Sequence, residues 1–182
     1  MKLKLLLVIL ALQCAWILGT TFQQERVLRV GKTVLLETQP VDPRDLLRGD
    51  FVILNYTIST LPGNVFTPPL SESPPAGQTI YVALEQRGKF HVAVRADTSP
   101  FEPASDQVLI MGQSQPGWRN DTNSVRVEYG LERYYVAEGT GNPGGKLTVQ
   151  AVVPVSGRAL IKQVFVDGAP YAEAMRERDA GR

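Results

Sequence analysis

The chain has 182 residues, 43% of them hydrophobic and 20% charged, with a formal net charge of +1. That length fits one domain plus an N-terminal segment, and the near-neutral balance offers no electrostatic footprint for nucleic acid. The single cysteine, Cys14, excludes an intrachain disulfide, and its place in the leading apolar run removes thiol chemistry from the folded part.

Two lysines, Lys2 and Lys4, precede an apolar run from Leu5 to Leu18 that is broken only by Gln13 and weakly extended to Phe22. This approaches the ~20 residues that span a bilayer. An uncleaved anchor and a cleaved signal compete. The anchor is preferred, because Gly19 to Thr21 offers a poor cleavage site. A lipid-modified Cys14 fits its neighbours badly. The leading lysines favour a cytoplasmic N-terminus, which puts the rest of the chain on the extracytoplasmic side. Residues 1–22 are therefore assigned to the anchor or signal and 23–32 to a linker that continues the helix or begins a strand until Gly31. A β-rich domain follows over 33–171, with a charged tail at 172–182.

Within the domain, Thr33 to Thr38 is a candidate strand with Val34 and Leu36 on one face. Asp42-Pro43 starts at most one helical turn, which Gly49 ends; Asp50 can hold the corner through nearby backbone N–H groups. The next eight residues, Phe51 to Ile58, are rich in β-branched and aromatic residues, and period two puts Val52, Leu54, Tyr56 and Ile58 on one apolar face. Residues 61–78, with five prolines, are expected to be an extended, mobile loop. A hairpin follows: Ile80, Val82 and Leu84 alternate with polar or small residues, Arg87-Gly88-Lys89 turns, and Phe90, Val92 and Val94 alternate again. His91 lies on the face opposite that stripe and is expected to be solvated. Further strands are expected at Val108 to Met111, Val125 to Tyr129, Leu147 to Val153 and Leu160 to Val166, the last ending at an Asp167-Gly168 turn. The expected fold is all-β, mainly antiparallel, sandwich- or barrel-like, after one N-terminal helix.

Three blocks carry a resemblance. Gly49-Asp50-Phe51-Val52-Ile53-Leu54-Asn55-Tyr56 resembles the signature of the GDYXXLXY family of bacterial membrane-anchored proteins, with Phe51 in place of the first tyrosine. Tyr129 to Gly141 resembles a second family block, in which a proline often stands at the place of Ala137. Val164 to Tyr171 resembles the C-terminal end. The resemblance implies architecture and a membrane location, not an activity. The positions it singles out are Gly49, Asp50, Phe51, Leu54, Tyr56, Glu132, Tyr135, Glu138, Gly139, Gly141, Asp167 and Gly168.

No complete catalytic set emerges. Glu132 and Glu138 flank Tyr134-Tyr135, so a hydrolase using Asp50, Glu132 or Glu138 near Tyr56 and Tyr135 is one alternative. A second is a degenerate signal-peptidase-like domain. Asp45 to Asp50 fits the second half of the peptidase nucleophile block, but Val41 stands where the serine belongs and Arg44 where the proline belongs, leaving no nucleophile. A third is a carbohydrate-binding domain using Trp118 and the tyrosines. The glycine-rich Gly139 to Gly145 is no phosphate cradle, since Lys146 is not followed by Ser or Thr. No cofactor or metal is expected. The preferred reading is a non-catalytic binding or assembly module, with the membrane and a protein of the cell envelope as partners.

Overall fold

The computed structural model describes residues 2–39, 51–70, 72–116, 124–136 and 145–180. The chain opens with α1 (Lys2–Val30), whose apolar side chains from Leu5 to Phe22 stand exposed. The stretch Gln23 to Val30 thus continues the helix. Only Gly31 separates it from β1 (Lys32–Gln39), in which Val34 and Leu36 are fully buried, as the alternation predicts.

Among the described residues there are twelve strands, and every pair of them is antiparallel. After β1 come β2 (Phe51–Ile53), β3 (Asn55–Tyr56), β4 (Thr60–Pro62), β5 (Thr79–Arg87), β6 (Phe90–Asp97), β7 (Gln107–Gln115) and β8 (Ser124–Glu128). Then come β9 (Arg133–Tyr135), β10 (Leu147–Val153), β11 (Leu160–Val166), β12 (Ala169–Pro170) and the helix α2 (Tyr171–Ala180). One five-stranded sheet has the order β12-β11-β10-β1-β3, the other β4-β8-β7-β5-β6, and β2 pairs with β9 as a separate ribbon. The expected all-β class and the leading helix are both present. Val34, Leu36, Val149, Ala151 and Val164 from the first sheet and Ile80, Val82, Leu84, Ile110 and Val127 from the second fill one shared core. Their period-two spacing is what a strand with one wet face requires.

The two sheets are fastened at their margins. The loop after β10 folds back so that the Gly157 carbonyl accepts the Met111 N–H at 2.8 Å. Gly157 has φ +78°, and a Cβ there would press on the Met111 side chain, so a glycine suits this close approach twice over. At the other seam, His91 Nδ1 on β6 accepts the Leu35 N–H of β1 at 3.2 Å. The half-buried imidazole is thus an inter-sheet acceptor rather than the solvated side chain expected from its face. The register puts Ala93 opposite the core residue Leu84 and His91 opposite Gln86, so His91 shares the inward face of β6, and the register shift that skips Val94 is what period two alone could not see.

Other expectations are corrected. Phe51 to Ile58 is not one strand: it breaks at Leu54, resumes as β3, and ends in a 3₁₀ turn at Thr57–Ser59. Residues 61–78 are packed in good part, since Leu61 lies in β4 and Phe66 bridges to Ala96, both buried. The prolines hid two large apolar anchors. The strand at Val108 to Met111 extends to Gln115, continuing on Ser114, which is fully buried with its Oγ bonded to the Pro75 carbonyl. The charged tail, for which a helix is one reading, is helical through Ala180 and docks through Tyr171 and Met175, both buried.

Candidate functional site

The resemblance blocks converge at the end of β1 away from α1. Thr38 and Gln39 there pair with Tyr56 and Asn55. From Phe51 to Pro62 the chain visits the ribbon, the first sheet and the second sheet in turn, as β2, β3 and β4. Few side chains can satisfy such a path, because the backbone changes hydrogen-bonding partner every few residues. Leu54, at the first change, is buried and sends its N–H to the Glu132 carbonyl at 2.8 Å. At the second change, the Tyr56 N–H is taken by Ser59 Oγ at 3.2 Å, which closes the 3₁₀ turn.

The two blocks clasp each other reciprocally. The Tyr56 hydroxyl donates to the Leu131 carbonyl at 2.6 Å, and the Tyr129 hydroxyl donates to the Ile58 carbonyl at 2.8 Å. Each phenol thus reaches the backbone of the segment that carries the other, and both rings are buried. Between Tyr129 and Glu132 the chain reverses at Gly130, φ +78°, a conformation that favours glycine. Glu132 closes that reversal, its Oε1 accepting the Tyr129 N–H at 2.6 Å. Burial first, and the Glu132 charge second, push both phenols well above the usual tyrosine value. Both hydroxyls therefore stay protonated, as donors to carbonyls must.

The ribbon extends this clasp outward. Phe51 pairs with Tyr135, Val52 with Tyr134 and Ile53 with Arg133. Its inner face, Val52 and Tyr134, joins the core, and Tyr134 meets the Tyr171 ring edge-on at 5.3 Å, which brings the third block against the second. Its outer face carries Phe51, Ile53, Arg133 and Tyr135. Tyr135 is 70% exposed and Ile53 43% exposed; the Phe51 and Tyr135 rings meet edge-on at 6.1 Å, and the Arg133 guanidinium lies 5.6 Å from the Phe51 ring. Asp167 and Gly168, at φ 49° and 91°, form the two-residue turn between β11 and β12. Asp167 Oδ1 also accepts the Lys146 N–H at 2.9 Å, tying that turn to the start of β10.

Of the positions singled out from sequence, Phe51, Leu54, Tyr56, Glu132 and Tyr135 come together, whereas Asp167 and Gly168 shape a separate turn. Gly49, Asp50, Glu138, Gly139 and Gly141 lie outside the described residues, as do Trp118 and the stretch resembling a peptidase block. The suggested pairing of Asp50 or Glu138 with Glu132 is therefore not among the described contacts. Tyr56, Tyr129 and Tyr171 are buried, so those three rings form no exposed sugar platform. Sequence reasoning missed Tyr129 as the counterpart of Tyr56. Its place at period two after Val125 and Val127 marked it as inward-facing, but nothing local could name a carbonyl 71 positions away.

A model of the GDYXXLXY protein family matches residues 13–164. The match spans the first two blocks and reaches the first residue of the third. No curated protein and no solved structure matches the chain. With most of its length matched, and with the first two blocks locked together in the fold, the chain belongs to the GDYXXLXY family.

Proposed function

We propose that this protein is a membrane-anchored, extracytoplasmic binding or assembly module without catalytic activity, and that it recognises an envelope protein through the outer face of the β2–β9 ribbon. The observation that carries the reading is the contrast between that ribbon's two faces. Val52 and Tyr134 are packed inward, while Tyr135, Ile53 and Arg133 stand in solvent with Phe51 half-buried between them. Aromatic rings beside an arginine are the residue types that anchor protein interfaces. The hydroxyls of Tyr56 and Tyr129 and the Oε1 of Glu132 are engaged with the backbone, which suits a scaffold that presents a surface. An anchor is supported by α1, long and apolar enough to cross a bilayer, although a signal sequence shares that property. The lysines before it support an extracytoplasmic domain.

The test is photo-crosslinking in native membranes, with a photoreactive residue at Tyr135 and, as a control away from the ribbon, at the exposed Glu102 in the loop between β6 and β7. A discrete crosslinked species from position 135 alone, lost on Ile53→Ala with Arg133→Ala, is expected. The same pattern from both positions, or none from 135, would contradict the reading.

A further inference from the structure

The junction between α1 and the β-domain has almost no slack. Helix α1 is 29 residues, about 43 Å at 1.5 Å per residue, against a hydrocarbon thickness of about 30 Å. With Lys2 and Lys4 at one interface, the hydrocarbon ends near Gln24, and Glu25 to Val30 runs through the opposite headgroup layer. Gly31 alone then leads into β1. The β-domain therefore begins at the membrane surface.

The turn after β10 lies at that end. Lys32, the first residue of β1, pairs with Val153, the last of β10, so Pro154 to Arg158 sits beside the end of α1. The turn is held firmly: the Gly157 N–H donates to the Pro154 carbonyl at 2.9 Å, and the Gly157 carbonyl holds Met111. Yet its tip is Val155, which is fully exposed. Val30, at the helix end, is 77% exposed. Arg158 in the turn and Arg26 and Arg29 on the helix are exposed, with Arg29 paired to Glu25. Lys32 reaches the Gln107 carbonyl instead. A rigid turn with an apolar tip and flanking cations, fixed beside a membrane span, matches a headgroup layer: acyl carbon for the valine, phosphate for the arginines.

We propose that Pro154–Arg158 is a second membrane contact, with Val155 entering the headgroup–acyl boundary of the bilayer that α1 crosses and Arg158 meeting anionic headgroups there. This contact rests on α1 being a retained span. It would fix the tilt and rotation of the domain, so that the ribbon at the far end of β1 is held at a set height above the membrane.

The test uses the full chain in vesicles of phosphatidylethanolamine and phosphatidylglycerol. Cys14→Ser removes the native thiol, and an environment-sensitive dye is attached through Val155→Cys or, as a control beside the ribbon, through Glu173→Cys. Quenching by headgroup-nitroxide lipid is expected to be several-fold stronger at 155 than at 173, with a blue-shifted emission that weakens on Arg158→Glu. In a Trp118→Phe background, quenching of Trp16 by brominated lipid reports whether α1 is inserted. Trp16 quenched with both dyes in water would overturn the contact alone. An unquenched Trp16 would overturn the anchor reading, and the contact with it. Shielding at 155 only in native membranes, not in vesicles, would mean a protein covers the turn and would overturn the lipid assignment.

Discussion

The Tyr56 hydroxyl lies 2.6 Å from the Leu131 carbonyl, and the Tyr129 hydroxyl 2.8 Å from that of Ile58. Two segments that each change sheets are thereby stitched at the point where neither has a continuous ladder. The tyrosine of the family signature serves here as a fastener, and Ile53, Arg133 and Tyr135 of the ribbon beside it stand exposed.

Leu54 tests the packing side of this view. It is 1% exposed and its N–H is committed to Glu132. Leu54→Ala is expected to lower unfolding free energy by about 2–5 kcal/mol through cavity formation. Chemical denaturation measures it directly. Gly130→Ala meets no neighbour but must hold φ +78°, so a smaller loss of about 1 kcal/mol is expected from strain alone.

The raised phenol values give an alkaline prediction. In the unfolded chain Tyr56 and Tyr129 lose protons near pH 10, while in the folded chain they keep them. The folded state then binds more protons, so stability is intact below pH 10 and falls as pH rises above it. Each tyrosine contributes up to about 1.4 kcal/mol per pH unit to that fall. Unfolding at pH 9 to 11 should show the slope, and Tyr129→Phe should make it shallower.

His91 predicts the opposite flank. Burial lowers its pKa, and its Nδ1 must be unprotonated to accept the Leu35 N–H. The unfolded imidazole takes a proton near pH 6.5, before the folded one does. Stability from this seam is therefore full above pH 6.5 and declines as pH falls through the lower folded value. His91→Ala should be less stable than the parent at pH 7.5, and the difference should shrink toward pH 5.

Much of the fold could be read locally. The β5–β6 hairpin, β10 and β11 could be placed from their alternation, although a register shift interrupts each ladder, between Ala83 and Leu84 and between Gln150 and Ala151, and the Asp167-Gly168 turn has the residues that positive φ demands. Residues 51–58 show why reading stops short. Their apolar face was legible, and Val52, Leu54, Tyr56 and Ile58 are all buried, but the breaks after Ile53 and Tyr56 depend on Glu132 and Ser59. Partner changes between sheets leave no mark on side-chain period. The role of His91 was hidden by the register shift in β6, and that of Phe66 by the prolines around it. For the site, sequence could group the blocks through family resemblance, yet only distance shows that their tyrosines point at each other's backbone.

Tyr135 offers a contrast within one ribbon. Because its side chain is largely in solvent, Tyr135→Ala should change thermal stability by no more than about 0.5 kcal/mol. The same change should abolish recovery of the envelope partner with the chain after chemical crosslinking in native membranes.

The most direct measurement is a double-mutant cycle in urea with Tyr56→Phe, Tyr129→Phe and the pair. Each single change strands a buried carbonyl and is expected to cost about 1–3 kcal/mol, with a coupling of at least about 0.5 kcal/mol between them. Singles that leave unfolding free energy unchanged while impairing function in the cell would contradict the account, and would return the signature tyrosine to the status of an active group.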